Sequence, residues 1–541
     1  MAAHDYHQGV EDGDRDGRPV PIAGHAGPPL PADFFQLPCD STMPLILSID
    51  QGTTGTTVVI VGDDGRVLGR GYAPVEVSFP QPGWVEQDPE AIWRSLVAPT
   101  QAALAEAGAR PSDVTATGIT NQRETTVIWE RATGRPLLPA IVWQCRRTTD
   151  MCRRLTAEGY EQLIADRTGL VIDPYFSATK IRWALDHDPE LRDRAARGEI
   201  CAGTVDSWLI WRLTGGRVHA TDASNASRTM LLNIDRGVWD EDLLRAIGIP
   251  REVLPRVVPS SGVIAETAAT EVLLAGIPIA GVAGDQQAAL FGQGCFEKGQ
   301  AKNTYGTGCF LLLNAGQQRP PEIPGILTTI AWLIGERPTY AYEGSVFVAG
   351  ALIQWLRDGL GIISQAAESE ALARSVPDSG GVYIVPAFTG LGAPYWEPEA
   401  RGTIVGLTRG TTRAHIARAA LEAIAFQVCD LVDAMSAAPG TVLSELRADG
   451  GAAANDLLLQ FQADIIGVPV RRAGVLEATA LGAAYLAGLG VGVWRSVNDI
   501  RGVLVAPQVF EPGIDAARRE ELLSGWQRAV EAALAWAGRG S

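Results

Sequence analysis

The chain has 541 residues, a formal net charge of −17 and 46% hydrophobic residues. Because this length exceeds what one hydrophobic core usually serves, we expect two sizeable domains with a cleft between them. The acidic balance excludes nucleic acid and anionic membranes as general partners, since both select basic surfaces. The sequence has no apolar run that could span a membrane, and its seven scattered cysteines have no metal or disulfide spacing. These features predict a soluble, cytoplasmic protein.

The N-terminal segment differs from the rest of the chain in being rich in Gly, Pro and Asp. Such a composition cannot build a core, so we predict a disordered extension over residues 1–44. The segment lacks the basic start and the apolar centre of a signal peptide. Met43 stands directly before the first predicted strand. Two interpretations therefore stay open, a genuine unstructured tail and a start codon assigned too far upstream.

Strands and helices alternate from residue 45 onward, which indicates an α/β fold. The apolar runs at 45–50 and 58–62 flank the turn-rich QGTTGT and predict a β-hairpin. A helix is predicted over 90–108 and a strand over 114–122. A strand, a Gly-Asp turn and a helix follow at 278–296.

The same plan restarts at 303–314, where NTYGTGCFLLLN predicts a second hairpin with a GTG tip. The two Gly/Thr tips, at 50–54 and 304–308, indicate one architectural unit that is used twice around a nucleotide. The remaining predicted segments are a strand-turn-helix and two helices, at 446–467, 478–492 and 522–537.

The first tip suits a phosphate group, because its small residues let backbone N–H groups approach phosphate oxygens closely. Asp50 at the tip's entrance is placed to hold a hydrated Mg²⁺, and Gly55 lets the turn backbone come closer. In the later string DGGAAAN, Gly450 and Gly451 would let the backbone pass flat against an adenine ring. Asn455 would open the next helix as a polar contact. Taken singly, such turns also arise for steric reasons.

A second set of residues suits a small polyol. Arg123 and Glu124 follow a strand, where open α/β sheets collect ligands, and a donor beside an acceptor matches hydroxyl groups. Trp143 and Tyr175 offer apolar walls, and Asp285 begins a helix directly behind a strand. Plainer alternatives are a surface ion pair for the first two residues, a core position for the tryptophan and a helix N-cap for the aspartate.

Long strings favour the functional interpretation. The strings are DQGTT, GITNQRETT, AIVWQCRRT, TGLVIDPYFSATKIRW, AGDQQAALFGQ, AKNTYGTGCF and TALGAAYLAGL. From Leu45 to about Trp536 the chain resembles the FGGY carbohydrate kinases of the actin/Hsp70/hexokinase superfamily, and 175–183 and 402–422 fit that family's two signature patterns. The resemblance implies two actin-like, ribonuclease H-like α/β domains, 45–294 and 295–541, with a nucleotide cleft between them.

The resemblance also implies an activity, the ATP-dependent phosphorylation of glycerol to sn-glycerol 3-phosphate with Mg²⁺, and a homodimer or homotetramer. Family members that act on a pentulose, erythritol or gluconate are the nearest alternative. The strings NQRE and WQCRR, with Trp143 and Phe310, would close the site around three carbons and disfavour them. The alternative from another class is a non-catalytic ATPase, either a filament former or a chaperone-like switch.

Individual roles are carried over by the same resemblance. Asp285 would be the base for the attacking hydroxyl, and Asp50 the magnesium anchor. The glycerol site would consist of Arg123, Glu124, Trp143, Tyr175, Asp285, Gln286 and Phe310. The nucleotide site would consist of Thr53, Thr54, Gly55, Thr307, Gly350, Gln354, Gly451 and Asn455. Because proton removal comes late in phosphoryl transfer, the base need not have a raised pKa. A carboxylate near its reference pKa of about 3.9 is ionised at pH 7 and can accept the alcohol proton.

Thr57 is a departure from the family pattern. Many members read DQGTTSSR, whose arginine reaches the nucleotide phosphates, whereas this chain reads DQGTTGTT. We therefore expect an active kinase that uses MgATP less well than its arginine-bearing relatives.

Overall fold

The computed structural model describes residues 43–475 and 477–538. The extension predicted over 1–44 therefore lies outside the described residues except for its last two positions. The strands up to residue 284 are β1 (Leu45–Gln51), β2 (Gly55–Val61), β3 (Val67–Pro74), β4 (Glu86–Gln87), β5 (Val114–Asn121), β6 (Thr126–Glu130), β7 (Ala140–Ile141), β8 (Ile200–Thr204), β9 (Ala220–Asp222), β10 (Leu232–Asn233), β11 (Val238–Trp239), β12 (Arg256–Val258), β13 (Ser261–Glu266) and β14 (Pro278–Gly284). The later strands are β15 (Gln300–Tyr305), β16 (Cys309–Gly316), β17 (Leu327–Ile334), β18 (Arg337–Val346), β19 (Tyr383–Val385), β20 (Thr403–Val405), β21 (Glu445–Asp449), β22 (Val470–Arg472) and β23 (Gln508–Phe510).

Helices cover the sheets and connect their strands. They are α1 (Pro89–Arg94), α2 (Val97–Glu106), α3 (Thr149–Ala157), α4 (Glu161–Thr168), α5 (Ser177–His187), α6 (Pro189–Ala196), α7 (Val205–Leu213), α8 (Ala223–Ala226), α9 (Glu241–Ile247), α10 (Asp285–Gly292), α11 (Gly350–Asp358), α12 (Glu368–Arg374), α13 (Arg413–Ser436), α14 (Asp456–Ile466), α15 (Ala478–Gly490), α16 (Val497–Val503) and α17 (Ala516–Ala537). Among the described residues, none of these helices has both the length and the apolar character that crossing a bilayer requires.

Most predicted elements are confirmed, and the helix predicted over 90–108 is the main exception. The structure divides it into α1 and α2. Proline fits only the first turn of a helix, so Pro99 is compatible with a helix that restarts at Val97 and not with one that continues from Pro89. Ser95 reinforces the break, because its hydroxyl donates to the Ile92 carbonyl at 2.7 Å.

The predicted repeat is visible in the sheet. β3, β2 and β1 pair antiparallel, and β1 then pairs parallel to β5 and β5 to β14. β18, β16 and β15 pair antiparallel in the same way, followed by parallel β21 and β22. One sheet of 13 strands contains both units, joined where β13 meets β17. The two predicted hairpins therefore occupy equivalent places in two copies of one arrangement.

The helix α15 packs on the sheet of the first unit, although it follows the second unit in sequence. It lies against α10, and a Cβ added at Gly482 would collide with the Ala288 carbonyl. The Ser48 hydroxyl of β1 donates to the Ala480 carbonyl at 2.6 Å. Side chains from both units form one buried cluster here, which includes Ile46 and Leu481. This packing fixes the position of α10, whose first residue is Asp285.

Candidate active site

The first Gly/Thr tip joins β1 to β2 and carries three of the predicted nucleotide-site residues. Thr53 is half-buried, Thr54 is exposed and Gly55 is buried. Trp143 Nε1 donates to Thr53 Oγ1 at 2.9 Å, so the predicted acceptor wall touches the predicted phosphate hairpin. Asp50 lies at the end of β1, just before this tip.

Thr57 stands directly opposite Asp50 on one side and Tyr72 on the other. The Tyr72 hydroxyl donates to the Thr54 carbonyl at 3.3 Å. A Cβ at Gly55 would collide with the Tyr72 ring. Glycine at 55 is thus matched to a tyrosine on β3, and Thr57 lies on the same side of the hairpin as the predicted magnesium anchor.

The second tip carries Thr307 and meets the start of α11. The Gly350 N–H donates to the Gly306 carbonyl at 3.0 Å. A Cβ at Gly350 would lie 2.6 Å from that carbonyl, so the approach requires glycine. Gln354 lies one turn further along α11 and is exposed. No hydrogen bond between described residues joins the two tips, which leaves them as separate walls.

The Gly-Gly turn after β21 packs against the last residue of β15. Gly450 has φ 89°, and a Cβ there would lie 2.5 Å from the Tyr305 carbonyl. Gly451 faces open space, since a Cβ there would meet no atom within 4 Å. The Asn455 Oδ1 caps α14 by accepting the Leu458 N–H at 3.0 Å, which leaves its amide protons for a ligand. An open glycine beside a polar helix start fits the predicted adenine contact.

The predicted acceptor residues converge on the start of α10. Arg123 Nε lies 3.2 Å from Asp285 Oδ1, and Arg123 Nη2 donates to Tyr175 Oη at 3.4 Å. Glu124 Oε1 lies 3.8 Å from Arg123 Nε. The Gln286 N–H donates to Asp285 Oδ1 at 2.7 Å. Residues separated by up to 163 positions in sequence, 123 to 286, therefore share one polar site.

A cleft of about 900 Å³ opens beside this polar group. Its walls include Trp143 and Tyr175 from the first half of the chain and Phe310 and Thr307 from the second. The Trp143 and Tyr175 rings lie edge to face, with centroids 5.6 Å apart. Three half-buried aromatic rings next to charged groups suit a ligand that has a carbon edge and several hydroxyls.

The structure excludes the plainer alternatives. Arg123 and Glu124 are buried, with exposures of 3% and 1%, so they do not form a surface ion pair. Trp143 is half-buried at the cleft and is not a core residue. The N-cap of α10 is Gly284, and the Asp285 side chain accepts the adjacent Gln286 N–H and pairs with Arg123.

Two charged residues that sequence reasoning missed complete the network. The Glu343 carboxylate on β18 accepts hydrogen bonds from both terminal nitrogens of Arg123, from Nη1 at 2.6 Å and from Nη2 at 2.9 Å. Arg228 donates to Glu124 Oε1 at 2.7 Å and to Glu343 Oε1 at 3.1 Å. Each residue of the Arg123–Glu124 pair is therefore held by a partner more than 100 positions away. A glutamate inside the aromatic strand YAYEGSV was the available signal, because an unpaired charge is rarely buried.

Glu124 also has an unusual backbone. Its φ is 60°, in the left-handed region that residues other than glycine rarely adopt. The Ser177 hydroxyl and the Lys180 ammonium both donate to its carbonyl, at 3.1 and 3.2 Å. These contacts hold a strained conformation at the predicted acceptor site, and such strain commonly accompanies function.

The pKa of Asp285 is raised, although the proposed reaction does not require this. Burial raises the pKa of Asp285, and the nearby Arg123 and Lys302 charges oppose the rise. A raised pKa improves the carboxylate as a proton acceptor, provided that it remains ionised at working pH. Glu343 behaves in the opposite way, because Arg123 and Arg228 outweigh its burial and hold its pKa at about 2.

Asp50 fits a cation. Burial, together with the Asp285 and Glu477 carboxylates, raises the pKa of Asp50 to about 7. Adjacent like charges in a buried site favour a bound cation, and carboxylate oxygen is a ligand that Mg²⁺ prefers. The described residues hold no cluster of three or more His, Cys, Asp or Glu side chains with metal-binding geometry. A single carboxylate matches the way Mg²⁺ keeps waters and phosphate oxygens as its other ligands.

Two copies of the hairpin unit around a polar, aromatic-walled cleft define a two-domain, actin-like phosphotransferase. The N-terminal domain model of the FGGY family of carbohydrate kinases matches residues 45–292, and the C-terminal domain model matches residues 301–491. The chain belongs to the FGGY family of carbohydrate kinases, which confirms the resemblance seen in the sequence.

Individual relatives are similar over nearly the full length. A glycerol kinase from Symbiobacterium thermophilum is 57% identical over 492 residues, covering 91% of this chain and 99% of the relative. Glycerol kinase 2 from Thermotoga maritima is 54% identical, again covering 91% and 99%. A crystal structure of Plasmodium falciparum glycerol kinase with ADP superposes with a TM-score of 0.87 at 37% identity, covering 91% and 98%. A gluconate kinase from Lactobacillus acidophilus shares the fold, with a TM-score of 0.83 at 22% identity.

Proposed function

We propose that the chain phosphorylates glycerol, transferring the γ-phosphoryl group of ATP to a terminal hydroxyl to give sn-glycerol 3-phosphate. The observation that carries this proposal is the identity of 54–57% to proteins named glycerol kinase, over at least 98% of their length. The polar cluster beside the aromatic cleft supports the same acceptor. A pentulose or gluconate kinase shares only the fold at 22–24% identity.

Asp285 is our candidate for the base that accepts the proton of the attacking hydroxyl. It is 30% exposed in an otherwise buried network, so a ligand can reach it. Arg123, 3.2 Å away, favours the ionised form of the carboxylate and can donate to an acceptor oxygen. Arg123, Glu124, Tyr175 and Gln286 would bind the glycerol hydroxyls, while Trp143 and Phe310 would pack on the carbon edge.

The two tips would hold the triphosphate from opposite sides. Thr53, Thr54 and Gly55 form one wall and Thr307 with Gly350 the other, while Gln354, Gly451 and Asn455 would contact the nucleoside. Asp50 would hold Mg²⁺, which supplies positive charge against the phosphate oxygens when it is bound. The protein's own contribution is alignment, worth up to about 7–11 kcal/mol in well-oriented model reactions, and exclusion of water from the cleft.

An ADP-release assay tests the proposal. ADP formation should require glycerol and should stop when EDTA removes the divalent cation. Xylulose and gluconate should give little activity at the same concentration. ADP release that does not depend on glycerol would favour a filament-forming or chaperone-like ATPase. Faster release with xylulose than with glycerol would indicate a pentulose kinase of the same family.

We further propose a domain division near residue 294, a homodimer or homotetramer, and a reducing, cytoplasmic location. The six cysteines in the described residues are all free and buried, which supports a reducing compartment; they are Cys145, Cys152, Cys201, Cys295, Cys309 and Cys429. Light scattering coupled to gel filtration measures the assembly directly.

A further inference from the structure

Lys302 is a buried cation between the two halves of the site. It lies in β15 with no exposed surface. Its ammonium donates to Gln286 Oε1 and, at 2.9 Å, to Thr304 Oγ1. Gln286 belongs to the proposed acceptor site, and Thr304 stands at the entrance of the second tip. One side chain therefore contacts both the acceptor side and the phosphate side.

The chemistry of the ammonium determines which way the Gln286 amide points. An ammonium has three donors and no acceptor, so it can bond only the carboxamide oxygen. This contact turns Nε2 away from Lys302. No described residue accepts a hydrogen bond from Gln286 Nε2, so its protons are available to a ligand oxygen. Without the lysine, the amide could present either of its two ends to the ligand.

Nearby carboxylates favour the ammonium form of Lys302. Burial lowers the pKa of Lys302, while Asp449 and Asp285 favour its ammonium form. Gln293 Nε2 donates to Asp449 Oδ2 at 2.7 Å and holds that carboxylate in place.

We propose that Lys302 is a positioning residue that orients the Gln286 carboxamide so that Nε2 donates to a hydroxyl of the acceptor. The inference deepens the proposed function and rests on it, because it names what fixes one hydrogen-bond donor of the glycerol site. Lys302 needs no contact with either substrate for this role.

A side chain at position 302 that cannot donate a hydrogen bond would no longer orient the Gln286 amide. Lys302→Met should raise the KM for glycerol about tenfold, since one correctly oriented hydrogen bond is lost. The KM for ATP should change less than about threefold. Lys302→Arg, which also has donors only, should recover part of the glycerol KM.

A double-mutant cycle tests the route of the effect. In a Gln286→Ala background, Lys302→Met should leave the glycerol KM nearly unchanged, because the amide that it orients is gone. Gln286→Glu keeps an oxygen for Lys302 but has no donor, so it should raise the glycerol KM about as much as Lys302→Met. This second variant preserves the buried contact and keeps the test available if Lys302→Met fails to fold.

Gln300→Leu is the matched control, because it removes a 2.9 Å hydrogen bond to Glu445 at the far end of the same strand. It should leave both KM values unchanged. Equal changes in the KM for glycerol and ATP, or additive effects of the two substitutions, would overturn the inference while leaving the proposed function intact. A parent enzyme without glycerol-dependent ADP formation would overturn both.

Discussion

At the scale of single residues, Asp285 is the side chain on which the proposed chemistry depends most. Asp285→Asn keeps the shape and the neighbouring hydrogen bonds but removes the proton acceptor. We expect kcat to fall about 10²–10⁴-fold while the affinity for glycerol changes little. Steady-state kinetics with calorimetric binding of glycerol measure the two effects separately.

Asp113→Asn, at a half-buried aspartate that pairs with Arg110, serves as the control and should have the kcat of the parent. A kcat for Asp285→Asn within a few-fold of the parent would show that another group is the base.

The pH dependence follows from the two raised carboxyl pKa values. As the proposed base, Asp285 would accept a proton only when it is ionised, so activity should fall as the pH drops through its raised pKa. The pKa of Asp50 is about 7 without a cation, and bound Mg²⁺ favours its ionised form. Raising the Mg²⁺ concentration should therefore move the acid limb of kcat/KM for ATP to lower pH. A limb that stays in place between low and high Mg²⁺ would contradict the role of Asp50.

Arg228 should contribute to stability as well as to the site. It pairs with Glu124 and Glu343 in a buried network, and removing one member of a buried ion pair typically costs about 3–5 kcal/mol. We expect Arg228→Met to lower the free energy of unfolding by that amount, as measured by urea denaturation. Arg245→Met, at an exposed pair with Asp242, should change it by less than about 0.5 kcal/mol. If both variants lost a similar free energy of unfolding, the buried network would contribute no more to stability than an exposed ion pair.

These residues mark the limit of what the sequence could predict. Arg123, Glu124 and Asp285 follow strands, and the family strings that contain them are enough to predict that they share one site. Arg228 and Glu343 have partners that are more than 100 positions away in sequence. A local pattern can show that a charge is buried, but it does not identify the residue that neutralises it.

At the scale of elements, the first hairpin is where this chain departs from its family. Directly opposite residues in antiparallel strands share one face of the sheet, so an arginine at 57 would lie beside Asp50 and Tyr72. A charged hydrogen bond to phosphate is worth about 1.5–3 kcal/mol, and Thr57→Arg should raise kcat/KM for MgATP about tenfold or more. Thr57→Gln has similar reach without the charge and should give no such gain.

A Thr57→Arg variant that folds, binds glycerol normally and gains nothing for ATP would contradict this prediction. Another basic residue would then already serve the phosphates.

Strands and glycine turns were predictable because their signals are local, whereas the break between α1 and α2 was not predicted. The apolar periodicity of 90–108 continues across the break, and only the backbone requirement of Pro99 separates the two helices. The packing position of α15 was not predictable either. Its Ala/Leu/Gly pattern indicates a buried helix, but it does not specify the sheet on which that helix packs.

At the scale of the whole molecule, the two halves of the sequence are not independent structures. The helix α15, at Ala478–Gly490, covers the first sheet and packs on α10 through glycine contacts. The buried cluster between them includes Ile46, Ala116 and Leu290 from the first half and Leu481 and Leu486 from the second. A domain division near residue 294 therefore separates the two repeated units in sequence. Part of the hydrophobic core of the first unit is nevertheless supplied by the second half of the chain.

Because α15 completes the core of the first sheet, the first half of the chain should not fold by itself. A fragment of residues 43–294 would expose the apolar face that α15 covers, at a cost of roughly 25 cal/mol for each Å² of apolar surface left in water. We expect it to bind the dye ANS, to be digested rapidly by protease and to lack a cooperative thermal transition. Adding the separately produced fragment 295–541 should restore protease resistance and glycerol-dependent ADP formation. A fragment of residues 43–477, which ends just before α15, should remain as unstable as the first half, since it still lacks that helix. If residues 43–294 alone gave a cooperative transition and did not bind ANS, the first sheet would not depend on α15, and the two halves would be separate folding units.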